Sequence, residues 1–235
     1  MSRPFVFFDL GQTLIDEWEF IDTFDNRFLE ILNGFGSRID RRNYLSVRDS
    51  VIRDRKIGTG SVKELVIVVS KLLAPQGYDE AITSRLEPEI RKARGASFRF
   101  SNDAPEMLEK LRKMEIEMGL IANQSKDITE ILEKSGLEEF FSVKAISSSV
   151  NLAKPDPRIF QLALDKAGRS AKECIMVGDR LDTDICPANS IGMKTMRYTN
   201  SLFSLQIPSR ECEKPTFTVA SLLEIPGILE RIILR

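Results

Sequence analysis

Five polar residues with chemically versatile side chains follow short apolar runs in this sequence. They are Asp9, Asn123, Lys154, Asp179 and Asp184. Short apolar runs of this kind are typical of buried strands. In an open parallel sheet, ligands bind beyond the carboxyl ends of the strands, so these side chains are candidates to converge on one point. Because the chain contains no histidine, chemistry at that point must rest on carboxylates, lysines, hydroxyls or a metal bound by oxygen.

The elements that position these residues alternate between strands and helices. Six apolar runs predict strands at Phe5 to Leu10, Met118 to Ala122, Val143 to Ile146, Cys174 to Val177, Thr195 to Tyr198 and Phe217 to Val219. Amphipathic segments such as Ala104 to Met114 and Asp127 to Ser135 predict helices between most of them. This alternation implies right-handed crossovers and helices on both faces of a parallel sheet. We therefore predict an α/β fold with a doubly wound, Rossmann-like parallel sheet, formed by residues 1–14 and 96–235.

Between about residues 15 and 95 the strand signals stop and helical signals continue. A first helix is predicted by apolar residues at helical spacing, namely Phe20, Phe24, Phe28 and Ile31. Ser61 and Glu64 form a capping-box pattern ahead of a second helix. A third helix is predicted from Asp79 towards Arg94, with a kink at Pro88. We therefore predict that residues 15–95 are an all-helical domain inserted after the first strand.

Charge and hydropathy limit the partners of the protein. Lys and Arg total 34 against 35 for Asp and Glu, and the net charge of -1 gives no bulk attraction to nucleic acid or an anionic membrane. The apolar run near the amino terminus is interrupted at Asp9, too early for a signal peptide or a membrane span. We expect a cytoplasmic protein, a monomer or a homodimer, that binds neither nucleic acid nor a membrane.

The cysteines give no sign of a disulfide framework or of a zinc site. Cys174, Cys186 and Cys212 are odd in number and lack CxxC spacing. We therefore expect all three to be free thiols.

Four sequence motifs resemble those of the haloacid dehalogenase superfamily. FFDLGQTL, IANQS, KPDP and VGDRLDTD stand in this order along the chain, and four such motifs in order are far more specific than any one of them. The helical insertion also lies where one common type of cap lies in this superfamily. The resemblance implies a phosphatase-like hydrolase in which Asp9 attacks phosphorus and forms an aspartyl-phosphate. It also implies a Mg²⁺ ion held by Asp9, the carbonyl of Gly11 and Asp179, with Asp184 supporting the site from outside.

The same resemblance assigns roles to the remaining polar residues. Lys154 would neutralise the charge of the phosphate and the carboxylates. Asn123 and Thr13 would position the phosphoryl group, although a capping hydroxyl explains Thr13 almost as well. Asp156 precedes Pro157, which is the normal start of a helix, so we assign Asp156 to structure.

Two residues depart from the pattern of phosphatases in this superfamily. These enzymes usually carry a second aspartate two residues after the nucleophile, as general acid and base, and here that residue is Gly11. The second motif normally has Ser or Thr before its Asn, and here that residue is Ala122. Loss of a positioned acid or base costs roughly 100-fold to 10,000-fold in rate.

Three explanations of this departure remain open. Gln12, Asp16, Glu17 or a residue of the insertion can take over the proton transfer or orient the water. Alternatively, the substrate has a good leaving group that needs little protonation. In the third explanation turnover is lost, and the protein is a weakly catalytic metal- and phosphate-binding or regulatory protein.

The insertion contains a basic stretch in its middle. Its cations are Arg38, Arg41, Arg42, Arg48, Arg53, Arg55 and Lys56. They either recognise an anionic group or form a solvated helix face, which is the more common role of such charges. From the sequence we expect a small phosphorylated metabolite as substrate, of unspecified identity.

Overall fold

The computed structural model describes residues 3–58, 62–96 and 99–234. The chain divides into two compact units. The first, called the core unit here, consists of Met1–Ile15, Phe100–Ser204 and Pro208–Arg235. The second, called the helical unit, consists of Asp16–Arg99 and Leu205–Ile207. The domain boundaries drawn from the sequence, after residues 14 and 95, stay a proposal.

The strands of the core unit form a parallel sheet. The strands of the chain are β1 Phe5–Phe8, β2 Ile15–Asp16, β3 Arg99–Phe100, β4 Met118–Ala122, β5 Val143–Ile146, β6 Cys174–Gly178, β7 Lys194–Tyr198 and β8 Phe217–Val219. Six of them pair in the order β5-β4-β1-β6-β7-β8, and every pair is parallel. The chain winds outwards from β1 in both directions, so β1 lies at the switch in strand order. The predicted doubly wound α/β fold is confirmed.

Helices accompany the sheet along the core unit. They are α5 Asp103–Lys113, α6 Asp127–Ser135, α7 Ser147–Val150, α8 Pro157–Ala167, α9 Cys186–Ser190 and α10 Ile225–Ile233, with a π-helical turn at Leu181–Ile185. The apolar side of α8, including Ile159 and Phe160, packs in one buried cluster with Phe5 and Phe7 of β1. Asp156 caps α8 by accepting a hydrogen bond from the backbone of Arg158, as predicted.

The helical unit contains α1 Trp18–Gly34, α2 Arg41–Arg53, α3 Val62–Leu73 and α4 Asp79–Ala96. The predicted apolar stripe of α1 is buried, and its Phe28 ring contacts the Tyr44 ring of α2 edge to face. The sequence did not predict α2 as a helix. Pro88 lies inside α4, which continues through it, and the capping residue Ser61 lies outside the described residues.

Two of the three cysteines form a disulfide, so the expectation of three free thiols was wrong. Cys186 at the start of α9 and Cys212 are bonded, with their Cα atoms 4.5 Å apart, and Cys174 is a buried free thiol. The two cysteines are 26 positions apart in the sequence. Their spacing does not predict the bond, because the fold of the β7–β8 connection brings them together. Disulfides persist mainly in oxidising compartments, and the expected cytoplasmic location stays a prediction. No helix in the described parts of the chain is long and apolar enough to cross a membrane.

Candidate active site

Asp9 lies directly after β1, at the centre of the sheet. Its backbone N–H donates a hydrogen bond of 2.9 Å to the carbonyl oxygen of Val177 in β6. The residue is 9% exposed, so its carboxylate lies at the edge of the buried core. This position beyond the carboxyl end of the central strand is where open α/β sheets bind ligands.

Two further carboxylates follow β6. Asp179 is 1% exposed and Asp184, in the π-helical turn, is fully buried. The Oδ2 atom of Asp184 accepts a hydrogen bond of 3.0 Å from the backbone N–H of Arg180. Glycine at position 178 permits this arrangement, because a Cβ atom there would lie 2.5 Å from the Cγ atom of Asp184.

Asp9, Asp179 and Asp184 form one buried cluster, called the carboxylate cluster here. One oxygen from each carboxylate lies within 4.8 Å of the other two. Burial, together with the negative charges of Asp184 and Asp9, raises the pKa of Asp179 well above its usual value. Burial also raises the pKa of Asp184 to about 6, against the opposing effect of Lys154. Such crowding of negative charge favours a bound cation.

Further features of the carboxylate cluster fit a hard metal ion. Within the described residues, the buried Oδ2 atom of Asp179 has no hydrogen-bond partner, and buried acceptors without partners are rare in native proteins. The donors are all oxygen atoms, which is the ligand type of Mg²⁺ and Ca²⁺. The group therefore fits a divalent cation of this kind.

Lys154 places its ammonium group against the carboxylate cluster. The Nζ atom donates hydrogen bonds of 2.7 Å to Oδ1 of Asp9 and 2.5 Å to Oδ1 of Asp184. The side chain is only 2% exposed. Although burial lowers the pKa of Lys154, the charges of Asp184 and Asp9 outweigh burial and raise the pKa above its usual value. The site therefore contains a buried cation beside the proposed nucleophile.

The structure gives Asn123 a specific contact. Its amide Nδ2 donates a hydrogen bond of 2.8 Å to the carbonyl oxygen of Lys154. Its Oδ1 atom accepts a hydrogen bond of 2.8 Å from the backbone N–H of the same residue. The expectation that this amide positions a phosphoryl group directly stays a prediction.

The turn after Asp9 carries the other predicted residues. Thr13 is buried, and no hydrogen-bond partner for its hydroxyl exists among the described residues. Gln12 has a left-handed φ of 52°, and its Oε1 atom accepts a hydrogen bond of 2.8 Å from the backbone N–H of Leu202. Gly11, by contrast, has no left-handed φ. The side-chain oxygen of Gln12 thus accepts a hydrogen bond from the backbone of the segment that follows β7 in the core unit.

Sequence reasoning missed two residues that surround the carboxylate cluster. Ser201 is buried in the loop after β7, and its hydroxyl lies close enough to Asp179 to oppose the rise in the pKa of that carboxyl. The polar residues that follow β7 were a usable signal, because this strand also ends at the ligand-binding edge. Arg180 pairs with Asp182 at 2.8 Å and stacks on Phe203, with the guanidinium carbon 4.2 Å from the ring centre. Nothing in the spacing around Arg180 predicts this stacking.

The basic stretch of the helical unit is partly used within that unit. Arg48 is buried and forms an ion pair with the buried Asp25, whose other oxygen accepts a hydrogen bond of 2.6 Å from the Tyr44 hydroxyl. Arg41 pairs with Asp22 at 2.6 Å. Arg41 therefore lies on a solvated face, as the more common role predicts, whereas the buried Arg48 fits neither of the two expected roles and pairs inside the helical unit.

Comparisons with known proteins agree with the motifs and the fold. The profile of haloacid dehalogenase-like hydrolases matches residues 6–192 of this chain. The glyceraldehyde 3-phosphate phosphatase of Methanocaldococcus jannaschii is 26% identical over 228 residues, covering 97% of each chain. Pyrimidine 5'-nucleotidase YjjG of Escherichia coli is 27% identical over 238 residues, covering 97% of this chain and 99% of its own.

The fold also matches solved structures. The putative haloacid dehalogenase-type hydrolase YfnB from Bacillus subtilis superposes with a TM-score of 0.70 at 22% identity, covering 97% of this chain and 99% of YfnB. Because the family profile spans most of the residues and the sheet has the fold of such proteins, the chain belongs to the haloacid dehalogenase-like hydrolase family.

Proposed function

We propose that this hydrolase releases phosphate from a small phosphorylated metabolite, with Mg²⁺ as its metal and Asp9 as its nucleophile. The observation that carries the proposal is the convergence of Asp9, Asp179, Asp184 and Lys154 beyond the central strands of the sheet. Relatives that match nearly the whole chain are named as a glyceraldehyde 3-phosphate phosphatase and a pyrimidine 5'-nucleotidase. Both names describe phosphatases of small phosphorylated molecules.

In this proposal each site residue of the core unit has a separate role in phosphate release. A carboxylate oxygen of Asp9 bonds to phosphorus while the ester oxygen of the substrate departs, and water then releases phosphate and regenerates the carboxylate. The ammonium of Lys154, already 2.7 Å from Asp9, neutralises the negative charge that the phosphate brings. Mg²⁺ bound by Asp9, Asp179 and the Gly11 carbonyl, with Asp184 beside it, would supply further compensating charge. The Thr13 hydroxyl is a candidate donor to the phosphoryl group, because it is buried and lacks a partner among the described residues.

The departing oxygen receives no proton from position 11, because that residue is glycine. Gln12 is a weak replacement, since its side-chain oxygen accepts a hydrogen bond from Leu202. Its amide N–H groups can donate hydrogen bonds but do not ionise, so they cannot transfer a proton to the leaving group. The arrangement therefore favours substrates whose leaving group needs little protonation, such as acyl or aryl phosphates.

The test measures magnesium-dependent release of phosphate from a panel of sugar phosphates, nucleotides, acyl phosphates and one aryl phosphate. We expect release that stops on chelation of the metal and is lost in Asp9→Asn, while the variant keeps its melting temperature within a few degrees. Release that persists in Asp9→Asn would contradict the proposed nucleophile. No release from any substrate would contradict phosphatase activity.

The absence of an aspartate at position 11 favours one alternative function. A catalytically weak binding or regulatory protein would use the same carboxylate cluster and Lys154 to hold a metal and a phosphate without turnover. This alternative predicts that Mg²⁺ with beryllium fluoride, a mimic of the aspartyl-phosphate, raises the melting temperature although the panel gives no phosphate. Sedimentation velocity distinguishes the two expected oligomeric states, a monomer and a homodimer.

A further inference from the structure

The side chain of Asn123 forms hydrogen bonds with both backbone polar groups of a single residue. Its amide donates to the carbonyl oxygen of Lys154 and accepts from the N–H of Lys154, both at 2.8 Å. An amide side chain is suited to this contact, because it presents one acceptor and one donor side by side. The contact joins two segments that lie 31 residues apart in the chain.

The backbone on both sides of Asn123 is held by hydrogen bonds of the sheet and of its neighbour. Asn123 directly follows Ala122, the last residue of β4, whose Cα is in register with that of Ile146 in β5. The next residue, Gln124, is also held, since its backbone N–H donates 3.1 Å to the Ser147 hydroxyl. A side chain at the end of a sheet strand has a better-defined position than one within a loop.

Lys154 itself lies in a loop, between α7 and α8. The ammonium group is held by Asp9 and Asp184, and Asn123 holds the backbone. The contacts to Asp9 must rearrange when a substrate reacts there, whereas the contacts to Asn123 need not. The amide is therefore a fixed anchor for the lysine during the reaction.

We propose that Asn123 is a positioning residue, which acts on phosphoryl transfer by holding the backbone of Lys154. This role rests on the proposed function, because it presumes that Lys154 serves phosphate release. A displacement of about 1 Å at a reacting group can cost about 100-fold in rate. Loss of the anchor is therefore expected to lower kcat strongly while leaving the carboxylate cluster in place.

A double-mutant cycle separates this role from direct substrate contact. Asn123→Ala is combined with Lys154→Met, and phosphate release from an activated aryl phosphate is measured for all four proteins. We expect Asn123→Ala to lower kcat by about 100-fold in the wild-type background and by less than about 3-fold in the Lys154→Met background. An equal loss in both backgrounds would overturn the proposal, because Asn123 would then act independently of the lysine side chain.

The melting temperature follows a different pattern. Lys154→Met leaves the backbone of residue 154 unchanged, so it keeps both hydrogen bonds to Asn123. We therefore expect Asn123→Ala to lower the melting temperature equally in the two backgrounds. No loss of stability in either background would mean that the two hydrogen bonds are not formed, and would overturn the proposal.

The helical unit offers a matched control. Asn33 donates 2.8 Å to the carbonyl oxygen of Ile39 and accepts 2.7 Å from its N–H, which is the same type of contact. Asn33→Ala should lower the melting temperature and leave kcat within about 3-fold, since its contact lies far from Lys154 in sequence and holds no site residue. A 100-fold loss of kcat in Asn33→Ala would show that such losses do not require the lysine.

A crystal structure of Asn123→Ala tests the anchor without relying on activity. We expect the Nζ atom of Lys154 to leave hydrogen-bond distance of the Asp9 carboxylate. An unchanged position of Nζ would overturn the proposed anchor, even if the wild-type protein released phosphate. Conversely, a displaced Nζ in a protein that releases no phosphate would support the anchor and reject the proposed function.

Discussion

Gly178 and Asp184 lie so close together that the carboxylate of Asp184 can keep its position only if residue 178 is glycine. A Cβ atom at residue 178 would lie 2.5 Å from Cγ and 2.6 Å from Oδ2 of the Asp184 carboxylate. The same carboxylate accepts hydrogen bonds from Lys154 and from the backbone of Arg180. Displacement of Asp184 would therefore also affect the lysine that contacts Asp9.

Gly178→Ala is expected to lower both stability and activity. Overpacking of a buried position costs about 1–3 kcal/mol, and here the clash would displace the carboxylate that binds Lys154. Chemical denaturation and phosphate release measure the two effects. Gly227→Ala in α10 is the control, because a Cβ there meets no described atom within 4 Å. Equal stability of the two variants would contradict the close approach.

Mg²⁺ is expected to raise the melting temperature, and Asp179→Asn to abolish most of this rise. An ion that binds only the native state stabilises it by about 2.7 kcal/mol at 100 times its dissociation constant. Without metal, the same variant should melt a few degrees higher than the wild type, since it removes a carboxyl group whose ionisation is opposed by burial and by neighbouring carboxylates. Glu230→Gln, an exposed change in α10, is the control. An undiminished magnesium response in Asp179→Asn would place the metal elsewhere.

Gly11→Asp is expected to raise hydrolysis of alkyl phosphates more than that of aryl phosphates. Protonation matters most when the departing oxygen is basic, and a positioned acid is worth roughly 100-fold to 10,000-fold. The backbone of Gly11 has no left-handed φ, so an aspartate meets no such strain there. The measurement is kcat/KM for both substrate types, with the double variant Asp9→Asn and Gly11→Asp as the control. A folded variant with equal or lower activity on both types would exclude the missing acid as the limitation.

Gln12→Gly is expected to be more stable than Gln12→Ala. Both variants lose the hydrogen bond to Leu202, but only alanine keeps the cost of a left-handed φ, which is about 1 kcal/mol. Thermal denaturation of the two variants gives the difference directly. If Gln12 has no part in proton transfer, both variants should also retain activity, whereas a loss of 100-fold or more would assign it a catalytic part.

The disulfide is expected to leave one reactive thiol in the denatured, unreduced protein, namely Cys174. Cys212→Ser should lower stability by about 3 kcal/mol in oxidising buffer, as a closed loop of this length constrains the unfolded chain. In the presence of a reducing dithiol the variant and the wild type should unfold alike. Three reactive thiols in the unreduced wild type would show that the bond does not form in solution.

The sequence predicted the sheet well because its inner strands β1, β4 and β6 are buried on both faces. Such strands are continuous apolar runs, and the predicted bounds of β4, β5 and β8 equal the observed ones. The first strand ends at Phe8 rather than Leu10, because the carbonyl of Leu10 accepts three hydrogen bonds from the turn that follows. Helix α2 was missed since its buried side includes the charged Arg48, which interrupts the apolar stripe.

The topology of the sheet also predicts which carboxylates of the site lie together. Parallel strands end at one edge of the sheet, so the meeting of Asp9, Asp179 and Asp184 follows from the topology. The partners of Lys154, the contact of Asn123 and the bond between Cys186 and Cys212 depend on how loops fold back on the sheet. Spacing along the chain carries little information about such loop contacts.

The two-stranded pairing of β2 with β3 gives the fold a modular architecture. Ile15 and Phe100 flank the long segment of the helical unit, Asp16–Arg99, and lie in these adjacent strands. The Ser101 N–H donates a hydrogen bond of 2.8 Å to the carbonyl oxygen of Leu14. An insertion whose two ends lie side by side can be exchanged or lost as a whole, because a short turn can then join the two ends. Replacement of the whole segment Asp16–Arg99 would thus leave the order of the six-stranded sheet intact.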